Sequence, residues 1–168
     1  MTNTVNTREL ILSILLDVTA GREYSHIALR NVLNKYQYLD KKERAFITRV
    51  TEGTLEHMIE IDYIINQFSK VKVNKMKPVI RCIIRSAVYQ LKYMDSVPDS
   101  AVCNEAVKLT KKYGFSGLAG FVNGVARAIA RAEEIPYPDA NKDKKQYLSV
   151  KYSIPTTIVE QIEKVGNI

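Results

Sequence analysis

Apolar residues recur every three to four positions along most of residues 1–132, the period of a helix with one face buried. Leu10, Ile11, Ile14, Leu15 and Val18 set the first stripe, with Thr7 or Thr4 as its cap and Gly21 as its end. A second helix starts near Tyr24 or Ser25 and carries Ile27, Leu29, Val32 and Leu33. Asp40 with Glu43 reads as a capping pair. The helix it opens is predicted to run unbroken to Phe68, burying Phe46, Ile47, Val50, Leu55, Met58, Ile61 and Ile65. Gly53 within it marks a close contact or a bend. After a connector at 70–77, Pro78 suits the first turn of a helix because its missing N–H costs nothing there. Ile80, Ile83, Ile84, Ala87, Val88 and Leu91 make that helix the apolar centre of the chain.

The next helix follows Pro98 and Asp99 and ends at Gly114; Ser116 is the expected cap of the last one, "FVNGVARAIAR". Here Gly117, Gly120, Gly124 and Ala128 fall on one narrow stripe. Interior glycine costs a helix roughly 0.5–1 kcal/mol relative to alanine. The stripe is therefore expected to lie at a close helix crossing, with Gly117, Gly120 and Gly124 as structural residues. Asn123, Arg127 and Arg131 occupy a different face, Asn123 as a surface polar residue, a group fixing a neighbouring loop or a contact to RNA. No alternating strand pattern competes. The predicted class is all-α: a bundle of six to seven helices over 1–132, a linker, and a short C-terminal helix.

Residues 133–146, "EEIPYPDANKDKKQ", hold two prolines and seven charged residues, which is linker composition. In 147–168, Pro155 opens a short amphipathic helix with Ile158, Val159, Ile162 and Val165 on one side. A lone helix after a linker has no core of its own. It reads as the first element of a further region.

Charge adds a direction. The net +7 is uneven: residues 1–69 hold 8 basic and 9 acidic residues, and residues 70–168 hold 17 and 9. Between 70 and 92 stand Lys70, Lys72, Lys75, Lys77, Arg81, Arg85 and Lys92 with no acid among them. Such asymmetry implies a polyanion partner, RNA or DNA, or else a solvated face kept basic for solubility. Arg81, Arg85 and Lys92 lie within about 40° of one another on their helix. The expected RNA-facing set is Lys72, Lys75, Lys77, Arg85, Lys111, Lys112, Arg127 and Arg131. Arg81 is left between two roles, RNA contact or a buried structural pair with Glu105 or Glu52.

Other chemistry is sparse. Cys82 and Cys103 are the only cysteines and read as small core residues in a reducing cytoplasm. His26 and His57 have no partners at metal spacing. No run of about 18 apolar residues predicts a membrane span. No catalytic residue, metal site or cofactor is expected in this chain.

"VPDSAVCNEAVKLTKKYG" followed by "GFVNGVARAIAR" resembles the paired C-terminal helices of the NusB-like family. The shared motifs are Val97-Pro98, Asn104-Glu105-Ala106-Val107 and Phe121-Val122-Asn123-Gly124-Val125, with "IRCIIRSAVYQLKYMD" similar to the helix before them. Arg44-Ala45-Phe46, Gly53-Thr54-Leu55, Asp62 and "KYSIPTTIVEQIEK" resemble one branch, the N-terminal domain of RsmB-type small-subunit ribosomal RNA (cytosine-C5) methyltransferases. The resemblance implies an RNA-binding domain over 1–132 that helps dock its own methyltransferase domain on ribosomal RNA. S-adenosylmethionine and the catalytic cysteine would belong to that absent domain. It also implies a contribution of Arg8 to RNA binding, and a fold able to homodimerise. Free antitermination factors and helical protein-interaction modules remain the alternatives.

Overall fold

In the computed structural model, residues 5–166 are described. They form nine α-helices and no strand: α1 Thr7–Thr19, α2 Ser25–Lys35, α3 Lys41–Glu56, α4 Met58–Phe68, α5 Pro78–Tyr93, α6 Asp99–Lys112, α7 Ala119–Arg131, α8 Lys144–Tyr152 and α9 Thr156–Gly166. Single 3₁₀ turns at Val73–Lys75 and Ser116–Leu118 complete the chain. The first seven helices are the predicted bundle. Among the described residues no helix is long and apolar enough to cross a membrane.

Helix α5 is the axis of the bundle. It packs against α1, α3, α4, α6 and α7, and its residues Ile80 and Cys82 to Gln90 are all buried. Its isoleucines meet Ile11, Ile14, Ile47, Ile61, Ile64, Ile65 and Ile129 in one core. Both cysteines lie in the interior, and burial pushes both thiols up from their usual values.

Helix ends follow local chemistry. Asp40 and Glu43 form the full reciprocal capping box on α3, and Pro78 sits in the first turn of α5. Gly21 and Gly114 adopt φ of +74° and +87°, the left-handed region where glycine alone is unstrained. The cap of α1 is Asn6, not Thr7: its side chain accepts from the N–H groups of Arg8 and Glu9. Thr4 lies outside the described residues. Ser116 starts a 3₁₀ turn instead of capping α7, whose first residue is Ala119.

The long helix expected over 41–68 is two. The chain turns at His57, with φ −100° and ψ 18°. The imidazole stacks on Tyr93 with centroids 4.4 Å apart, and Tyr93 stacks on Tyr89 at 5.1 Å. Gly53 is where Tyr89 comes closest, since a Cβ built there would overlap the tyrosine ring. The glycine stripe running from the Ser116–Leu118 turn into α7 behaves otherwise. Gly117, Gly120 and Gly124 are exposed, and a Cβ on any of them meets nothing within 4 Å. The expected close crossing at these glycines is therefore incorrect; α7 buries Val122, Val125, Ala126 and Ile129 instead.

The tail also departs from expectation. Asp143 caps an additional helix, α8, by accepting from the Gln146 N–H. Helix α8 packs on α4, and α9 packs on α8. The segment between α7 and α8 has linker composition yet lies against the bundle, with Ile135 on the core.

Candidate nucleic-acid interface

The connector between α4 and α5 is pinned from inside. Val73 and Met76 are buried, the Val73 N–H donates to Asn66 Oδ1 at 2.9 Å, and Ser69 Oγ donates to the Val71 carbonyl at 2.6 Å. With those anchors inward, Lys70, Lys72, Lys75 and Lys77 are exposed. Arg81 closes the connector by donating from Nη2 to the Met76 carbonyl at 2.9 Å. Glu105 instead pairs with Lys108 at 3.4 Å, so the expected pairing of Arg81 with Glu105 or Glu52 is not formed.

Arg85 leaves the predicted basic surface. Its guanidinium forks onto Asp62 of α4, Nε to Oδ1 at 2.7 Å and Nη2 to Oδ2 at 2.8 Å, and the residue is 8 % exposed. An arginine on a helix buried nearly all round needs a carboxylate beside it, because an unpaired buried charge is costly. Of that stripe, Arg81 is thus turned to the connector and Arg85 to α4. Burial lowers the Lys92 pKa.

A second basic cluster lies at the other end of α5. Lys111 and Lys112 are exposed on the last turn of α6. Lys112 Nζ reaches Glu9 of α1 at 2.6 Å. The neighbouring Arg8 is half-buried: Nε donates to Gln90 Oε1 at 3.0 Å and the guanidinium lies 5.1 Å from the Phe46 ring centre. Burial lowers the Arg8 pKa, while nearby Glu105 raises it. Lys112 and Glu9 line an open cleft of about 470 Å³ between α1, α2 and the end of α6. Asn6, Lys35, Tyr36 and Tyr113 share its wall. Sequence reasoning missed Lys35 and the two tyrosines, since nothing local marks helix ends 77 positions apart as neighbours.

Gln90 and Lys77 are 13 residues apart on α5, about 20 Å at 1.5 Å per residue. The predicted surface is therefore divided: connector lysines at one end, Arg8, Lys111 and Lys112 at the other, with the buried α5 between.

The two motif asparagines converge on one side chain. Arg127 donates from Nε to Asn123 Oδ1 at 2.9 Å and from Nη2 to Asn104 Oδ1 at 3.0 Å. Asn123 and Asn104 thus tie α7 to α6 through Arg127, while Arg131 is exposed one turn further on. Among the described residues no group of three or more His, Cys, Asp or Glu side chains could hold a metal.

The NusB family matches residues 5–131. The chain belongs to the NusB family. A probable ribosomal RNA small subunit methyltransferase B from Bacillus subtilis (strain 168) is 34% identical over 154 residues, 92% of this chain and 34% of that protein. A transcription antitermination protein NusB from Desulforamulus reducens is 34% identical over 119 residues, 70% of this chain and 82% of that protein. The chain thus spans about a third of the methyltransferase relative. A crystal structure of antitermination factors NusB and NusE in complex with dsRNA superposes with TM-score 0.68 at 24% identity, over 74% of this chain and 93% of that one. PH0851 superposes with TM-score 0.75 at 16% identity, over 99% of this chain and 38% of that one. The likeness to the NusB–NusE structure shows the NusB fold.

Proposed function

We propose that this chain is the RNA-binding domain of a small-subunit ribosomal RNA (cytosine-C5) methyltransferase. The observation that carries the reading is the reach of the similarity. The family match ends at residue 131, yet the methyltransferase relative aligns over 154 residues, which extends into the tail. PH0851 is in keeping with it, because its fold matches 99% of this chain, α8 and α9 included, as 38% of a longer one. In this reading S-adenosylmethionine and the cysteine nucleophile belong to a catalytic domain outside these residues.

RNA would be held at both basic ends. Lysines on the pinned connector serve as point charges for phosphates. The cleft places Lys35 and Lys112 beside Tyr36 and Tyr113, a combination suited to unpaired RNA whose bases stack on aromatic rings. Arg131 extends the charge of α7. Arg85 is engaged with Asp62 and takes no part, and Arg127 acts by holding α6 to α7.

The test is fluorescence anisotropy at low salt with a small-subunit ribosomal RNA fragment and an unrelated structured RNA of equal length. Weak binding of both, with little sequence preference, is expected for one domain of a larger enzyme. Tight binding of one short sequence would favour the antitermination-factor reading, which the 82% coverage of the Desulforamulus protein keeps in view. No binding to either RNA would overturn the proposal in favour of a protein-interaction module.

A further inference from the structure

Two contacts from the tail converge on Glu60 in the first turn of α4, and a third joins the two tail segments that make them. The Tyr137 hydroxyl donates to Glu60 Oε2 at 3.1 Å. The Glu60 backbone N–H donates to Ser153 Oγ at 3.1 Å. Lys151 Nζ lies 4.6 Å from the centre of the Tyr137 ring. Glu60 itself is 5 % exposed.

Each contact has a local reason. Helix α4 starts at His57, which offers no side-chain cap, so its first N–H groups lack a partner from their own segment. Ser153 supplies one from 93 residues away. It ends α8 in the left-handed conformation, φ 52°. A buried carboxylate without donors is costly, and Tyr137 provides the donor. Lys151 adds positive charge nearby. Lys145 then fixes α9 to α8 by pairing with Glu160 at 2.6 Å.

We propose that residues 132–153 form a releasable clasp, with Glu60 as its seat, which holds α8 and α9 in one orientation on the bundle. The segment has the composition of a free tether, but its two arms meet at one residue, Tyr137 on the Glu60 carboxylate and Ser153 on the Glu60 backbone N–H. Contacts that share one seat open together. Release is thus cooperative and confined to the tail, because α8 packs mainly on α4 while α5 is held by five other helices. In a longer protein, the clasp would set how the NusB domain is oriented relative to the region that follows. That consequence extends the proposed function, but the clasp stands without it.

Hydrogen exchange followed by mass spectrometry on the full 168-residue chain tests it, with wild type compared with Glu60→Ala, Tyr137→Phe and Ser153→Ala. Tyr137→Phe removes only the hydroxyl, so it keeps the test usable if Glu60→Ala fails to fold. The expected result is faster exchange throughout 132–166 in each variant, about tenfold for loss of one net hydrogen bond, with α5 unchanged. Tryptic cleavage at Lys142, Lys144 and Lys145 should accelerate in parallel. Exchange in α8 already at the unstructured rate in wild type would overturn the clasp. So would acceleration limited to the altered residue, or spread equally over α5.

Discussion

The two ends of α5 carry similar charge and differ in what surrounds it. At the N-terminal end Lys70, Lys72, Lys75 and Lys77 project from a loop whose inward residues, Val73 and Met76, are buried. The exposed residues there are lysines, Val71 and Asn74, so the loop offers charge without aromatic surface. At the other end Lys112 and Lys35 stand on a cleft walled by Tyr36 and Tyr113. Under the proposed function, the difference separates two parts of RNA recognition. Point charges attract any backbone, whereas a cleft with aromatic rings distinguishes unpaired bases from duplex. Between them, Arg85 shows that position within a basic run does not decide exposure; the carboxylate opposite does.

The largest effect should come from that middle ground. Asp62→Ala leaves Arg85 without its fork and should cost about 3 kcal/mol in chemical denaturation, with RNA affinity unchanged while the protein stays folded. A loss of affinity without a loss of stability would return Arg85 to the binding surface. Next, Tyr36→Leu keeps apolar volume but removes the ring. It should weaken unpaired RNA by roughly 1–2 kcal/mol and leave duplex binding unaffected, which would break the comparison if both fell equally.

Tyr137 offers a pH readout on the tail. Burial, with the Glu60 carboxylate beside it, pushes its phenol up to about 12. A group raised above its unfolded value stabilises fully below that unfolded value, near 10, and loses the effect as pH rises through about 12. Tail amides should therefore lose more protection between those values in wild type than in Tyr137→Phe, where only loss of the Lys145–Glu160 pair remains, as exchange corrected for its intrinsic pH dependence will show. The smallest effect is Gly124→Ala, which meets no neighbour. It should raise stability by roughly 0.5–1 kcal/mol in a thermal melt, the opposite sign from a glycine at a helix crossing.

The elements most legible in the sequence were those set by local chemistry. The capping box at Asp40, Pro78 in a first turn, and the isoleucines of α5 all stand where their pattern places them. What the pattern could not show was set by distant partners. Arg85 and Asp62 are 23 residues apart, and helical spacing alone groups Arg85 with exposed lysines. The break at His57 has no Pro or Gly to announce it and is held by tyrosines of α5. Helix α8 is hidden in polar composition, its face needed only where α4 meets it. Gly53 and Gly124 look alike in sequence; only the ring of Tyr89 distinguishes them. For the interface, the exposed lysines were readable as charge, while the cleft required α1, α2 and α6 to be brought together.

The central claim, that both basic ends hold RNA, is tested most directly by the salt dependence of binding to a single-stranded ribosomal RNA fragment. Wild type should show log affinity falling linearly with log salt. Lys75→Glu with Lys77→Glu at one end, and Lys111→Glu with Lys112→Glu at the other, should each flatten that slope by roughly 0.7 for every phosphate that the variant no longer neutralises, with helicity and melting preserved. A wild-type slope near zero, or one that neither double variant changes, would contradict the account.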